Sequence, residues 1–290
     1  MKEKIVTFGN GSCLVGVTTE PETKFQTEGA PAVLLWNAGL LHRVGPYRLY
    51  VDLARKLAAV GFLVFRFDIS GKGDSEIRKD KLMDRERASG DIQEAMNFLS
   101  ANKGVEEFVL TGLCSGADEA FPVAVQDRRV SGLVLLDAFG YQTFGYYLHH
   151  YGPRLLRLQP WKNFLKRKFN DILERIRNRG NEHGQRGRTF VREFPPKAQV
   201  KAELLNLIER KVNLFFIYSG GVKYYNYHGQ FKDMFKPIDF QNRLKLEYFN
   251  EAAHTYTRLM DRNKLMITVC DWMQKHFNGT GKTSSINPRR

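Results

Sequence analysis

Ten residues near the middle of the chain, Val109-Leu110-Thr111-Gly112-Leu113-Cys114-Ser115-Gly116-Ala117-Asp118, restrict the fold more than any other stretch. Val109-Leu110-Thr111 reads as a buried strand and the residues from Ser115 onward as a helix, so the chain must turn sharply between them. Gly112 and Gly116 flank Cys114 two positions away on either side, which leaves space for neighbouring backbone beside a strained apex. The side chain at such an apex projects from the end of a sheet. By spacing that side chain is Cys114 and not Ser115.

Alternating elements surround this turn. Residues 4–9 and 12–19 alternate apolar and polar about Gly9-Asn10-Gly11 and predict an edge hairpin. Short apolar runs at 31–36, 62–68, 106–113 and 132–137 predict buried strands, and they are separated by helical patterns at 46–59, 86–102 and 115–126. Further strands are expected at 212–218 and 244–249, with a closing helix at 259–276. Strands and helices alternating at this spacing imply right-handed crossovers and a largely parallel sheet. Sites in such sheets form at the carboxyl ends of strands, where Gly39, Cys114 and Asp137 fall.

Between Phe139 and Val212 the pattern changes. Residues 151–211 hold sixteen Lys and Arg against six Asp and Glu, a net +10 of the chain's +14. Trp161, Phe164, Leu165, Phe169, Ile172, Leu173 and Ile176 recur there at helical spacing with basic residues between them. The expected division is a core of 1–140 and 212–277, a helical basic cap at 141–211 inserted before the penultimate strand, and a polar, disordered tail at 278–290. No apolar run reaches the roughly 18–20 residues that span a bilayer. The first residues lack the apolar centre of an export signal, and a cytoplasmic location is expected. Cys13, Cys114 and Cys270 form neither a disulfide framework nor a metal-ligand spacing, so no metal and no cofactor is expected.

Several motifs together resemble a known group. They are Asn37-Ala38-Gly39, His42-Arg43-x-Gly45-Pro46-x-Arg48, Arg66-Phe67-Asp68-x-x-Gly71-x-Gly73-Asp74-Ser75, Gly112-Leu113-Cys114-Ser115-Gly116-Ala117-Asp118 and Ala253-His254-Thr255. Over about residues 30–275 the chain resembles the α/β-hydrolases described as serine-aminopeptidase-like or exosortase-system-associated, with cysteine where most members carry serine. The resemblance implies the α/β-hydrolase fold. It leaves esterases, thioesterases, peptidases and acyltransferases all open.

A thiol nucleophile needs a base, an oxyanion site and a group that orients the base. The resemblance assigns the base to His254, just after the last strand, and the oxyanion donors to the backbone N–H groups of Leu40 and Ser115. The usual acid position follows the penultimate strand, but Ser219-Gly220-Gly221-Val222-Lys223-Tyr224 holds no carboxylate. Asp137 is the alternative that some hydrolases use; a structural cap is the competing role for it, and Asp233 and Glu251 are weaker candidates. His42 and Arg43 flank the expected mouth as candidate contacts for an acidic substrate group, with an ordinary solvated loop residue as the other reading of His42. The Asp68–Ser75 string reads as a tight turn ahead of a phosphate cradle.

These readings converge on a cysteine-nucleophile hydrolase acting on acyl esters or thioesters, as thioesterase or acyltransferase. The basic balance favours an acyl thioester on coenzyme A or on an acidic carrier protein, with an anionic membrane surface as a further candidate partner. Polysaccharide or secondary-metabolite biosynthesis is the setting that the family context implies. The rival expectation is a catalytically weak hydrolase-fold protein that docks on an acidic partner or membrane through the basic cap. Nucleic acid is not an expected partner, since apolar residues at helical spacing point to packing.

Overall fold

The computed structural model describes residues 1–25, 27–78, 83–155 and 192–277. The expected tail at 278–290 and the stripe from Trp161 to Ile176 lie outside the described residues.

The edge hairpin is β1 (Lys2–Phe8) and β2 (Leu14–Glu20), paired antiparallel across a short turn at Asn10–Ser12. Then follow β3 (Ala32–Leu35), α1 (Leu49–Ala59), β4 (Val64–Phe67), α2 (Asp84–Lys103) and β5 (Phe108–Leu113). After the turn at Cys114 come α3 (Ser115–Gln126), β6 (Val130–Leu136) and α4 (Phe144–Leu155). The described chain resumes in α5 (Lys197–Glu209), β7 (Asn213–Ser219), α6 (Gln230–Met234), β8 (Leu244–Phe249) and α7 (Leu259–Phe277). The eight strands lie in the order β1-β2-β4-β3-β5-β6-β7-β8. From β4 onward every pairing is parallel.

The parallel strands read as continuous apolar runs because both their faces are covered. Alternate residues serve opposite layers, as the two-residue period of a strand requires. Phe108, Leu110, Leu133, Leu135, Leu214 and Phe216 face one cluster with residues of α2, α3, α5 and α6. Val109, Leu113, Val134, Leu136, Phe215 and Ile217 face the other, with α1 and α7. On α1, Leu49, Tyr50, Leu53, Ala54, Leu57 and Ala58 form a buried stripe at helical spacing, with Val51 buried beside it.

One boundary differs from the expectation. The helix α5 falls inside the 141–211 stretch assigned to the cap, yet Val200, Leu204, Leu207 and Ile208 are buried in the sheet-side core beside α3. The excess of basic residues over the whole stretch hides this four-residue apolar stripe. Among the described residues, no helix is long and apolar enough to cross a membrane.

Candidate active site

The sharp turn between β5 and α3 is built by removing atoms. Cys114 has φ 58° and ψ −117°, a conformation that side chains rarely adopt and that surrounding structure must impose. A Cβ on Gly112 would stand 2.3 Å from the backbone carbon and oxygen of Gly116, and one on Gly116 would stand 2.9 Å from the Asn37 carbonyl oxygen. Both flanking positions therefore need glycine for close approach. Behind the turn, the fully buried Tyr50 hydroxyl accepts the Leu113 N–H at 3.1 Å.

Asp137 follows β6, the strand beside β5, and also has a left-handed φ of 49°. It is completely buried. A buried carboxylate requires donors on its oxygens, and Asp137 has three. The Ser219 N–H reaches Oδ1 at 2.6 Å, and the Ser219 hydroxyl and His254 Nδ1 reach Oδ2 at 2.8 and 2.7 Å.

His254 arrives on the loop after β8. That loop lies flush against the turn after β7: a Cβ on Gly220 would meet the Asn250 carbonyl oxygen at 1.8 Å, and one on Gly221 the His254 nitrogen at 2.3 Å. Gly220 and Gly221 also donate their N–H groups to the carbonyls of Phe249 and Ala252. The turn where an acid is usual thus has no room for a side chain at either glycine. The carboxylate comes instead from the end of the neighbouring strand β6.

With Nδ1 bonded to Asp137, His254 keeps Nε2 for Cys114, its second electrostatic partner. Those two partners, Asp137 first, raise the imidazole pKa to about 9. Burial pushes the Cys114 thiol up, but the nearby His254 imidazole, the Arg192 charge and the Ser115 N–H together bring it below the ordinary thiol range. Both shifts favour a thiolate–imidazolium pair.

The loop after β3 is tied to the same turn. Gly39 N–H donates to the Ser115 hydroxyl at 2.8 Å, and Leu41 N–H closes a turn onto the Ala38 carbonyl, with Leu40 at its tip. The backbone N–H groups of Ser115 and Leu40 are the two expected to hold an oxyanion. His42 is exposed on this loop.

Arg43, a candidate contact for an acidic substrate group, is engaged by carboxylates of this chain. Its guanidinium is ion-paired with the buried Asp68 and with Asp74, the latter at 2.7 Å, and its N–H donates to Asp68 at 2.7 Å. Asp68 also accepts from Asn37 at 2.8 Å and from the Asp74 N–H at 3.2 Å. The Asp68–Ser75 string is therefore a structural turn that anchors the loop carrying Leu40. Of the weaker acid candidates, Asp233 is bonded to Tyr227 and Lys236, and Glu251 lies near Arg258.

Three residues at the site carry no mark of it in the local sequence: Arg192, Ser219 and Tyr224. The Arg192 guanidinium bonds the main-chain carbonyls of both Cys114 and Asp137. It is one of sixteen basic residues between 151 and 211, and nothing in its local sequence sets it apart from the others. Among the described residues, no group of three His, Cys, Asp or Glu side chains is arranged to hold a metal ion.

A family model described as Serine aminopeptidase, S33 matches residues 39–199. No curated protein matches this chain. Solved structures do. An α/β serine hydrolase without a lid from Xanthomonas campestris aligns with TM-score 0.53 and 12% identity over 94% of this chain and 93% of that one. An esterase of Pyrococcus furiosus aligns with TM-score 0.56 and 14% identity over 96% and 91% of the two chains. The esterase domain of a Rhodothermus marinus protein aligns with TM-score 0.55 and 16% identity, over 96% of this chain and all of that one. At these identities the likeness is one of fold, and the fold is that of the α/β-hydrolases.

Proposed function

The chain belongs to the serine aminopeptidase S33 family of α/β-hydrolases, and on that premise we propose that it acts on acyl esters or thioesters through a covalent acyl-Cys114 intermediate. The observation that carries this reading is the 2.7 Å hydrogen bond from His254 Nδ1 to the buried Asp137, which orients the imidazole whose other electrostatic partner is Cys114, at the carboxyl edge of the sheet.

The chemistry follows from those contacts. His254 Nε2 takes the thiol proton, and the Cys114 sulfur attacks the acyl carbonyl carbon. The negative charge on the carbonyl oxygen is held by the N–H groups of Ser115 and Leu40. As the tetrahedral adduct collapses, the bond to the leaving thiolate or alkoxide breaks, and the leaving group takes the proton from His254. Asp137 keeps Nδ1 protonated and stabilises the imidazolium without itself gaining the proton. A water or an acceptor hydroxyl or amine, deprotonated by His254, then attacks the acyl-cysteine and returns the thiol. A thioester intermediate is well suited to transfer, so acyltransferase and thioesterase outcomes share every step but the last.

The strongly basic composition supports an acyl donor carried on coenzyme A or an acidic carrier protein, with an anionic membrane surface as a further docking partner. The rival reading, a catalytically weak binding protein, drew its support from the missing carboxylate after β7. Asp137 at 2.7 Å from His254 removes that support.

The test is intact-protein mass after brief exposure to an activated acyl ester and to acyl thioesters of several chain lengths. The expected result is one acyl adduct in the wild type and none in Cys114→Ala. No adduct at any chain length, with Cys114 no more reactive to iodoacetamide than a free thiol, would overturn the reading in favour of the binding protein.

A further inference from the structure

Arg192 has no N–H left for a substrate. Of its five donors, Nε reaches Asp118 Oδ2 at 2.7 Å, and Nη1 reaches the Asp137 carbonyl and the Tyr224 hydroxyl, both at 2.9 Å. Nη2 reaches the Cys114 carbonyl at 2.9 Å and Asp118 Oδ1 at 2.6 Å. The Tyr224 hydroxyl, having accepted from Arg192, donates to the same Asp137 carbonyl at 2.8 Å. The guanidinium plane is further held over the Phe194 ring, 5.0 Å from its centroid.

The two carbonyls it joins belong to Cys114 and Asp137, the two site residues with left-handed φ. A residue in that conformation stays there only while its surroundings impose it. Cys114 sits at the end of β5 and Asp137 at the end of β6, so one rigid planar group spans the ends of adjacent strands. We propose that Arg192, fixed by Asp118, is a positioning residue that locks the nucleophile turn to the acid-bearing turn and so sets the Cys114–His254 geometry. This rests on the reading of Cys114 as nucleophile. A flexible ammonium reproduces none of the fork, so Lys is not a conservative replacement.

The experiment reads iodoacetamide alkylation of Cys114 by peptide mass against pH in wild type, Arg192→Met, Arg192→Lys and Asp118→Asn, with near-UV circular dichroism as the folding check. In both Arg192 variants the rate at neutral pH is expected to fall about tenfold, with the thiolate curve moved to higher pH. Asp118→Asn separates position from charge, and it keeps the test alive if Arg192→Met does not fold. Removing a nearby negative charge alone would speed alkylation, whereas loosening Arg192 slows it; slower is expected. Wild-type rates in Arg192→Lys, or faster alkylation in Asp118→Asn, would overturn the positioning role. A wild-type Cys114 no faster than a free thiol would instead sink the nucleophile reading itself.

Discussion

Cys114 and Asp137 end adjacent parallel strands, and both have left-handed backbone, with φ 58° and 49°. They are held in opposite ways. Around Cys114 the structure takes atoms away, since Gly112 and Gly116 leave space that a single methyl would fill. Around Asp137 it supplies donors, from Ser219, His254, Arg192 and Tyr224. For that reason Cys114 is visible in the sequence, whereas Asp137 is only one candidate among several. Making room is a local pattern five residues long, whereas supplying donors draws on residues 82 and 117 positions away.

The tightest approach in the nucleophile turn is at Gly112. Gly112→Ala puts a methyl 2.3 Å from the Gly116 backbone, which cannot retreat as a flexible side chain would, and is expected to cost about 3 kcal/mol. The urea midpoint measures it. Gly116→Ala, facing the Asn37 carbonyl at 2.9 Å, is expected to cost less; equal costs would mean the turn is not held by close approach at Gly112.

On the donor-held side, Asp137→Asn removes the charge that steadies the imidazolium and leaves an amide among three donors. Acylation of Cys114 is expected to slow at least about a hundredfold, as stopped-flow release of a chromogenic leaving group would record. A loss of less than tenfold would mean that the thiolate pair works without its acid.

The pH dependence sharpens the link between the two turns. Cys114 is lowered, so its thiolate should persist as pH falls below the ordinary thiol range of about 8.5. His254 is raised to about 9, so it should remain able to protonate a leaving group until pH rises past that value. Alkylation of Cys114 is therefore expected to stay fast at pH values below those at which an ordinary thiol slows, and turnover to fall above about pH 9. In His254→Ala the alkylation curve should return to the ordinary thiol range; an unmoved curve would separate the thiol from the imidazole.

The smallest effect is expected at Ser219. Ser219→Ala removes the hydroxyl donor to Asp137 Oδ2 but keeps the N–H donor to Oδ1. A loss of about 1 kcal/mol of stability is expected, with only a few-fold change in rate. A loss as large as that of Asp137→Asn would mean that the hydroxyl, not the backbone, holds the carboxylate.

By itself the sequence determined the parallel sheet, the apex cysteine and the elements that carry His254. Strand alternation, helix stripes and the Gly-x-Cys-x-Gly spacing each arise within a few residues, because they reflect backbone geometry and burial at that point in the chain. Tertiary structure alone decided which carboxylate meets His254, that Arg43 is spent on Asp68 and Asp74, and that α5 belongs to the core. It alone brought Arg192 onto the carbonyls of Cys114 and Asp137. A charged side chain carries no mark of its partner. Which opposite charge or carbonyl it neutralises depends on where distant segments cross, and for Arg192 those segments lie 78 and 55 residues away.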